Sequence, residues 1–417
     1  MKHDFYLGAA TAAYQVEGNN IYSDIWQLER MKYSGYRELS KEAANHFFTY
    51  KKDILKMKEA GLNAYRFSLE WSRIEPEEGC FCEEALAHYE EMIRFCRSNG
   101  IEPIVTLFHF SSPKWLIEKG GWEAQSTEAY YLRYVKKVCE RYHDLLPYVI
   151  TFNEANIGVM IAKYMKLDSI GDSLQVGINP KTLLLQDQEK EEENLRVFKR
   201  KEPAVFVAPR SEKGIALLME IHKKAVRMIH EMIPDAKAGL SLSLRDLQYL
   251  DDQGKKEADK AWEEEFLQFL PSIAEDDFFG LQNYTRAVFD QSGEVSIKDQ
   301  YPSTQMGYEY YPWALENTIR KVHDSFRKEI LVTENGIATA DDLQRIRFID
   351  EALKGVQSCI EDGIDVGAYL HWSLIDNYEW QSGYSMRFGL MCRDADHTPK
   401  DSLSYLGSWR SILQDRQ

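Results

Sequence analysis

The sequence predicts an α/β fold, a single (β/α)8 barrel of the TIM type with long loops after its strands. Eight short apolar runs recur along the 417 residues, and segments with one apolar face at helical spacing lie between them. An open doubly wound sheet is disfavoured because the sequence contains no glycine-rich phosphate turn. Barrels of this kind carry such lengths as one domain, so residues 1–417 are expected to form a single unit.

The strand candidates share an apolar run that is short enough for a strand. They are FYLGAAT (5–11), NAYRFSL (63–69), EPIVTLF (102–108), YVITFN (148–153), KAGLSLS (237–243), DFFGLQNY (277–284), ILVTEN (330–335) and VGAYLHW (366–372). Helices are predicted between them where apolar residues are spaced by three and four and a glycine follows. One such run is Leu86, Tyr89, Ile93 and Cys96, which precedes Gly100.

Residues 165–212 fit this alternation least well. They combine an apolar patch, a charge run and prolines without a clean period. Because the segment follows the fourth strand, a long loop insertion over the active face is predicted. A solvated, partly mobile excursion is favoured over a lid that shapes the substrate site.

Two of the predicted strands end in a glutamate. ILVTENGIAT (330–339) contains Glu334 and YVITFNEANI (148–157) contains Glu154. A strand end exposed to water would explain either one, since burying an isolated carboxylate costs several kcal/mol. In one parallel barrel, however, both side chains emerge at the C-terminal face, where barrel enzymes carry their active sites. Two facing glutamates suggest an acid and a nucleophile.

Composition excludes several classes of function. With 44% apolar and 28% charged residues, and no apolar run near the length of a membrane span, the chain is predicted to be globular and not membrane-bound. The net charge of −16 argues against a nucleic-acid partner. Six cysteines show neither a disulfide pattern nor zinc spacing, and Asp4 precedes the apolar FYLGAATAAY, so a cytoplasmic protein without a signal peptide or metal is expected.

Six motifs in order make the chain similar to glycoside hydrolase family 1, the family of β-glucosidases and β-galactosidases. They are AAYQVEG (12–18), YRFSLEWSRI (65–74), TLFHFSSPKWL (106–116), TFNEAN (151–156), VTENG (332–336) and HWSLIDNYEWQSGYSMRFGL (371–390). The resemblance covers nearly the whole chain except about 165–212. It implies a (β/α)8 barrel, no cofactor, and hydrolysis with retention at the anomeric carbon.

The resemblance also implies roles for single residues. Glu154 would be the acid/base and Glu334 the nucleophile, while Arg66 would keep Glu334 ionised and Tyr284 would donate to it. Residues expected to bind the sugar in the glycone pocket are Gln15, His109, Asn153, Gln282, Glu379 and Trp380, with Trp372 as the aromatic floor. An ion pair or a core tyrosine would be the ordinary explanation of Arg66 or Tyr284 alone.

Four positions depart from the common family pattern. Phe110 stands where tryptophan is frequent, Ala155 where proline is usual, Gln282 where asparagine is usual, and Tyr308 where a tryptophan often lines the aglycone site. Phe110 and Tyr308 are therefore the aglycone candidates. The departures bear on the substrate more than on the reaction.

The predicted function is that of a retaining exo-β-glycosidase acting on unphosphorylated β-glucosides, with tolerance of β-galactosides or β-fucosides. Members that act on 6-phosphorylated sugars generally lack an acid at the position of Glu379. The alternatives are a catalytically silent sugar-binding barrel and a 6-phospho-β-glycosidase. A metal-dependent barrel enzyme is disfavoured, because the sequence lacks the expected cluster of His and Asp ligands. The expected partner is a small-molecule glycoside, and the protein could be a monomer or a homo-oligomer.

Overall fold

Parallel strands close into a barrel in the computed structural model, which describes residues 5–165, 188–296 and 300–414. The barrel strands are β1 (Tyr6–Ala10), β2 (Ala64–Ser68), β3 (Glu102–Thr106), β4 (Tyr148–Ile150), β5 (Lys237–Gly239), β6 (Ser241–Ser243), β8 (Phe278–Gln282), β11 (Glu329–Asn335) and β12 (Val366–Trp372). Their order is β5-β4-β3-β2-β1-β12-β11-β8-β6. The predicted (β/α)8 barrel and all eight predicted strand segments are thus confirmed.

The fifth barrel strand is divided in two. β5 pairs with β4, whereas β6 pairs with β8, and only Leu240 separates the two halves. The barrel therefore closes through one segment, 237–243, which contacts a different neighbour on each side of the break.

A small second sheet was not predicted from the sequence. It contains β7 (Asp246–Tyr249), β9 (Arg286–Asp290) and β10 (Gly293–Val295) in the order β10-β9-β7. Because β7 follows β6 and β9 follows β8, this sheet extends the C-terminal ends of two neighbouring barrel strands.

Helices connect the strands and cover the barrel. They are α1 (Ala13–Glu17), α2 (Asp24–Leu28), α3 (His46–Glu59), α4 (Trp71–Ile74), α5 (Glu83–Ser98), α6 (Lys114–Glu118), α7 (Thr127–Tyr142), α8 (Ile157–Tyr164), α9 (Gln188–Phe198), α10 (Glu212–Met232), α11 (Asp252–Glu265), α12 (Leu270–Ile273), α13 (Ala314–Ser325), α14 (Asp342–Glu361) and α15 (Asp401–Gln414). Short 3-10 helices span Gly121–Glu123, Leu267–Phe269 and Trp380–Ser382. Among the described helices, none has the length and apolar character needed to cross a bilayer.

The helix α5 shows how the apolar pattern produces this packing. Leu86, Tyr89, Ile93 and Cys96 are all fully buried, so the predicted stripe faces the barrel. The helix ends before Gly100, whose positive φ of +72° suits a glycine after a helix C-terminus.

The expectation that 165–212 is a long loop is wrong for part of the segment, which is helical. Residues Gln188–Phe198 form α9, and 166–187 lie outside the described residues. The reason is local: glutamate, lysine, arginine and leucine are good helix formers, and Gln188 donates to Glu192 one turn away at 3.2 Å. That 165–212 is an insertion in a single domain stays a prediction.

Candidate active site

Glu334, near the end of β11, is held by two donors. Nη1 of Arg66 on β2 donates to its Oε1 at 2.5 Å. The hydroxyl of Tyr284, two residues after β8, donates to its Oε2 at 2.5 Å. All three side chains are buried, and Glu334 is only 3% exposed. The structure therefore brings these three predicted residues together around one carboxyl group.

The environment of Glu334 both opposes and supports its ionised form. Burial raises the pKa of Glu334, while the charge of Arg66 and the hydrogen bonds from Tyr284 and Arg66 lower it. On balance the pKa of Glu334 lies above the ordinary value of a glutamate, and the two donors offset part of the effect of burial.

Glu154 lies in a different environment four residues after the end of β4. Its φ is +43°, a left-handed conformation that is strained for a side chain other than glycine. Its Oε2 is buried and accepts no hydrogen bond from the described residues. Burial and then the charge of Glu334 raise the pKa of Glu154 well above its ordinary value. Glu154 therefore retains its proton at a pH at which a solvated glutamate would be ionised.

Both carboxyl groups open into one narrow pocket at the C-terminal end of the barrel. The pocket is lined by polar and aromatic side chains: Gln15, His109, Phe110, Glu154, Tyr284, Glu334, Trp372, Glu379, Trp380 and Phe388. Three buried polar atoms of these residues have no partner among the described residues, namely Gln15 Oε1, His109 Nδ1 and Glu154 Oε2. Buried polar atoms are normally hydrogen-bonded, so these atoms are available to a polar ligand.

The glycone candidates that line the pocket also contact one another. Gln15 Nε2 donates to Glu379 Oε2 at 3.2 Å, and the rings of His109 and Trp372 stack with centroids 5.7 Å apart. Burial and the charge of Glu334 raise the pKa of Glu379 to about 8. Burial and the charge of Arg66 hold the pKa of His109 well below its usual range, so its ring is neutral. At neutral pH these glycone candidates thus present uncharged donors and acceptors.

Asn153 and Gln282 lie behind the pocket wall and are not among the lining residues. Asn153 Oδ1 accepts from Arg66 Nη2 at 2.5 Å and from Gln282 Nε2 at 2.6 Å. Asn153 Nδ2 lies 3.1 Å from His109 Nε2. In this structure Asn153 contacts Arg66 and His109, and Gln282 contacts Asn153. Direct contact of either amide with a sugar stays a prediction.

The two aglycone candidates have different aromatic neighbours. The ring of Phe110 is 5.0 Å from that of His109 and 5.4 Å from that of Trp380, both glycone candidates. Tyr308 instead lies 6.4 Å from the ring of Tyr284 and is not a lining residue of the pocket. Phe110 is thus placed with the glycone residues, whereas Tyr308 lies beside Tyr284, and burial and then the charge of Glu379 raise the pKa of Tyr308.

Sequence reasoning missed three residues of the site. Phe388 lines the pocket, although it lies inside the quoted motif that ends at Leu390. Thr106 Oγ1 accepts from Arg66 Nε at 3.0 Å, and Ser241 Oγ accepts from Gln282 Nε2 at 3.1 Å. Thr106 ends β3 and Ser241 begins β6, and this position in a barrel strand was the one signal by which the sequence could have indicated them. Within the described ranges no group of His, Cys, Asp and Glu side chains could hold a metal ion.

Comparison with known proteins agrees with this geometry. The sequence profile of glycosyl hydrolase family 1 matches residues 1–169 and 258–410. Beta-glucosidase A of Acetivibrio thermocellus is 29% identical over 93% of this chain and 92% of its own length. A beta-glucosidase of Agrobacterium sp. is 30% identical over 98% of this chain and 94% of its own length.

A solved structure of a related protein shares the fold. The crystal structure of a beta-glycosidase superimposes with a TM-score of 0.90 at 36% identity, covering 100% of this chain and 98% of the other. The profile leaves residues 170–257 unmatched, a range that includes 170–212 of the segment predicted to diverge. Because the profile matches well over half of the chain, the protein belongs to glycosyl hydrolase family 1 and is a β-glycosidase.

Proposed function

We propose that the protein is a retaining exo-β-glycosidase that hydrolyses unphosphorylated β-glucosides, with tolerance of β-galactosides or β-fucosides. The observation that carries the proposal is the contrast between two buried carboxyl groups in one pocket. Glu334 is held by Arg66 and Tyr284, whereas Glu154 has a free oxygen and a strongly raised pKa. Two carboxyl groups whose environments differ in this way are suited to different roles, one as nucleophile and the other as acid.

The reaction proceeds in two displacements. Glu334 attacks the anomeric carbon while Glu154 gives its proton to the departing glycosidic oxygen, which produces a glycosyl ester on Glu334. The ionised Glu154 then takes a proton from water, and this water attacks the anomeric carbon from the face that the aglycone left, which breaks the ester bond and releases Glu334 as a carboxylate. Two inversions give net retention, and Glu154 regains its proton.

The polar atoms of the pocket supply recognition of the sugar. Gln15 Oε1 accepts from a hydroxyl, and His109 Nδ1 donates to one when its Nε2 accepts from Asn153. Each such group costs free energy while it stays unpaired, so a polyol that pairs them all gains affinity. As Glu379 ionises near its pKa of about 8, its charge favours neutral hydroxyls over a phosphate at the same place.

Two alternatives are distinguished by simple assays. A silent sugar-binding barrel would bind glucose and release nothing from any aryl glycoside. A 6-phospho-β-glycosidase would prefer an aryl 6-phosphoglucoside to the unphosphorylated substrate.

The free thiols of all six cysteines support the further proposal that the protein resides in a reducing, cytoplasmic compartment. The proposed partner is the small-molecule glycoside substrate.

The roles are tested by two alanine variants and two substrates. Glu334→Ala should abolish turnover of every glycoside. Glu154→Ala should retain slow cleavage of 2,4-dinitrophenyl β-glucoside, whose leaving group needs little protonation, and lose cleavage of an alkyl glucoside. Thermal melting checks that both variants fold. Equal losses on the two substrates in Glu154→Ala would remove the acid role from Glu154.

A further inference from the structure

A second and larger cavity adjoins the catalytic pocket. Its volume is about 520 Å³, and Phe110 and Trp380 line both spaces. The centroids of the two rings lie 5.4 Å apart at an interplanar angle of 50°. Both residues have positive φ angles, +69° for Phe110 and +46° for Trp380. The backbone thus adopts two strained conformations to place two aromatic rings between the spaces.

The larger cavity lies next to the glycone residues. Phe110 contacts His109, and Trp380 follows Glu379 directly in the chain. Neither Glu334 nor Glu154, the residue that would protonate the leaving group, lines it. A group in this cavity would therefore be attached to the sugar that occupies the catalytic pocket, and not to the leaving group.

The lining suits a second sugar ring. In addition to the two shared rings it includes the aromatic side chains of Tyr33 and Tyr36, and the polar side chains of Asp24, Asn194 and Gln381. Aromatic faces pack against the C–H faces of sugars, and polar groups bond to their hydroxyls. The volume lies in the range of about 300–1,000 Å³ that encloses small ligands.

Asp24 gives this cavity a fixed polar group of its own. It is 1% exposed, and its Oδ1 accepts from the backbone N–H groups of Ile25 at 2.8 Å and Ser112 at 2.9 Å. Burial raises the pKa of Asp24 to about 8, so its carboxyl is protonated at neutral pH. A protonated carboxyl can donate to a sugar hydroxyl as well as accept from one.

We propose that this cavity is a subsite for a second sugar carried by the glycone, so that the enzyme releases disaccharides from β-disaccharide glycosides in addition to single sugars. The inference rests on the proposed function, because the same two carboxyl groups cleave the bond. The bond between the anomeric carbon and the aglycone oxygen breaks, and water supplies the new C–O bond. The aglycone leaves with the proton that Glu154 donates.

The order of bond cleavage tests the inference in the unmodified enzyme. The substrates are 4-nitrophenyl β-glucoside and the 4-nitrophenyl β-glycosides of the β-1,3-, β-1,4- and β-1,6-linked glucose disaccharides. Chromatography of the first products should show free disaccharide and nitrophenol from at least one of the three. Glucose and nitrophenyl glucoside as the sole first products from all three would overturn the inference and leave the proposed function standing. Failure to cleave nitrophenyl glucoside would instead overturn the proposed function.

Cavity-filling variants locate the effect. Val207 lines the cavity, and Val197 on α9 is equally half-buried but does not, which makes Val207→Trp and Val197→Trp a matched pair. Val207→Trp should reduce kcat/KM for disaccharide release by about tenfold or more, equivalent to 1.4 kcal/mol, and leave nitrophenyl glucoside within about twofold. Val197→Trp should change neither. Ser34→Trp fills the cavity from another segment and should reproduce the Val207→Trp result.

The contrary results are equally specific. Disaccharide release that survives both Val207→Trp and Ser34→Trp in folded protein would show that the second sugar lies elsewhere. An equal loss on both substrates in each cavity variant would show that the tryptophans disturb the catalytic pocket, and would also count against a separate subsite.

Discussion

Removing the hydroxyl of Tyr284 isolates one of the two contacts that favour the ionised form of Glu334. Tyr284→Phe preserves the ring and deletes only the donor that lies 2.5 Å from Glu334 Oε2. Arg66 keeps its contact with Oε1, so the carboxylate loses one of its two supports and not both. Burial then favours the protonated form more strongly than before.

The size of the effect follows from the strength of that hydrogen bond. A buried hydrogen bond to a charged group contributes about 1.5–3 kcal/mol, and one pKa unit corresponds to about 1.36 kcal/mol. Loss of the bond should therefore raise the pKa of Glu334 by about one to two units. Because the nucleophile must be ionised, the acid limb of the pH profile should move to higher pH by the same amount.

The assay is kcat/KM for an aryl β-glucoside measured across the pH range in which the enzyme stays folded. Tyr369→Phe is the matched control, because that buried hydroxyl donates at 2.8 Å to Asn335 Oδ1 and not to a carboxylate. The control should lower stability without moving the acid limb. An unshifted acid limb in Tyr284→Phe, or an equal shift in Tyr369→Phe, would refute the assignment of Tyr284 as a support of the nucleophile.

Three further predictions concern other titrating groups. Glu154→Gln should remove the basic limb of the profile, since the raised pKa of Glu154 defines it; a basic limb that persists would point to another acid. The preference for aryl glucoside over its 6-phosphate should increase between pH 7 and 9, as Glu379 with its pKa of about 8 ionises beside a phosphate that is already dianionic; a constant ratio of kcat/KM would contradict this. Hydrogen bonds from His397 and His46 hold the pKa of the buried Asp53 below its usual value, so its stabilisation is present above about pH 4 and is lost as the pH falls further. Asp53→Asn should lower the free energy of unfolding in urea by about 3 kcal/mol at pH 7 and flatten its dependence on acid pH.

The barrel could be predicted from sequence because of where its strands lie. Strands buried on both faces appear as continuous apolar runs, so segments such as 330–335 and 366–372 were recognisable without a partner. The division of the fifth strand at Leu240 was not, since it depends on which neighbour each half meets. The helix α9 was missed because its charged residues obscure a short apolar face.

Some residues of the candidate active site could likewise be located from the sequence, and others could not. Glu154 and Glu334 could be located because one follows an apolar strand and the other lies near the end of one, and the structure places both in one pocket. The position of Phe110 could not, because its positive φ turns the side chain toward Trp380, 270 residues later. Contacts between distant segments decide such placements, and no local pattern encodes them.

The central claim is that Glu334 and Glu154 carry out a double displacement, and the stereochemistry of azide rescue tests it most directly. Azide replaces water in the second step and needs no general base, so it should restore turnover in Glu154→Ala. NMR spectroscopy of the product should then show a β-glycosyl azide, because two inversions have occurred. An α-glycosyl azide from Glu154→Ala would mean that azide attacked the substrate directly, and would contradict a covalent intermediate on Glu334.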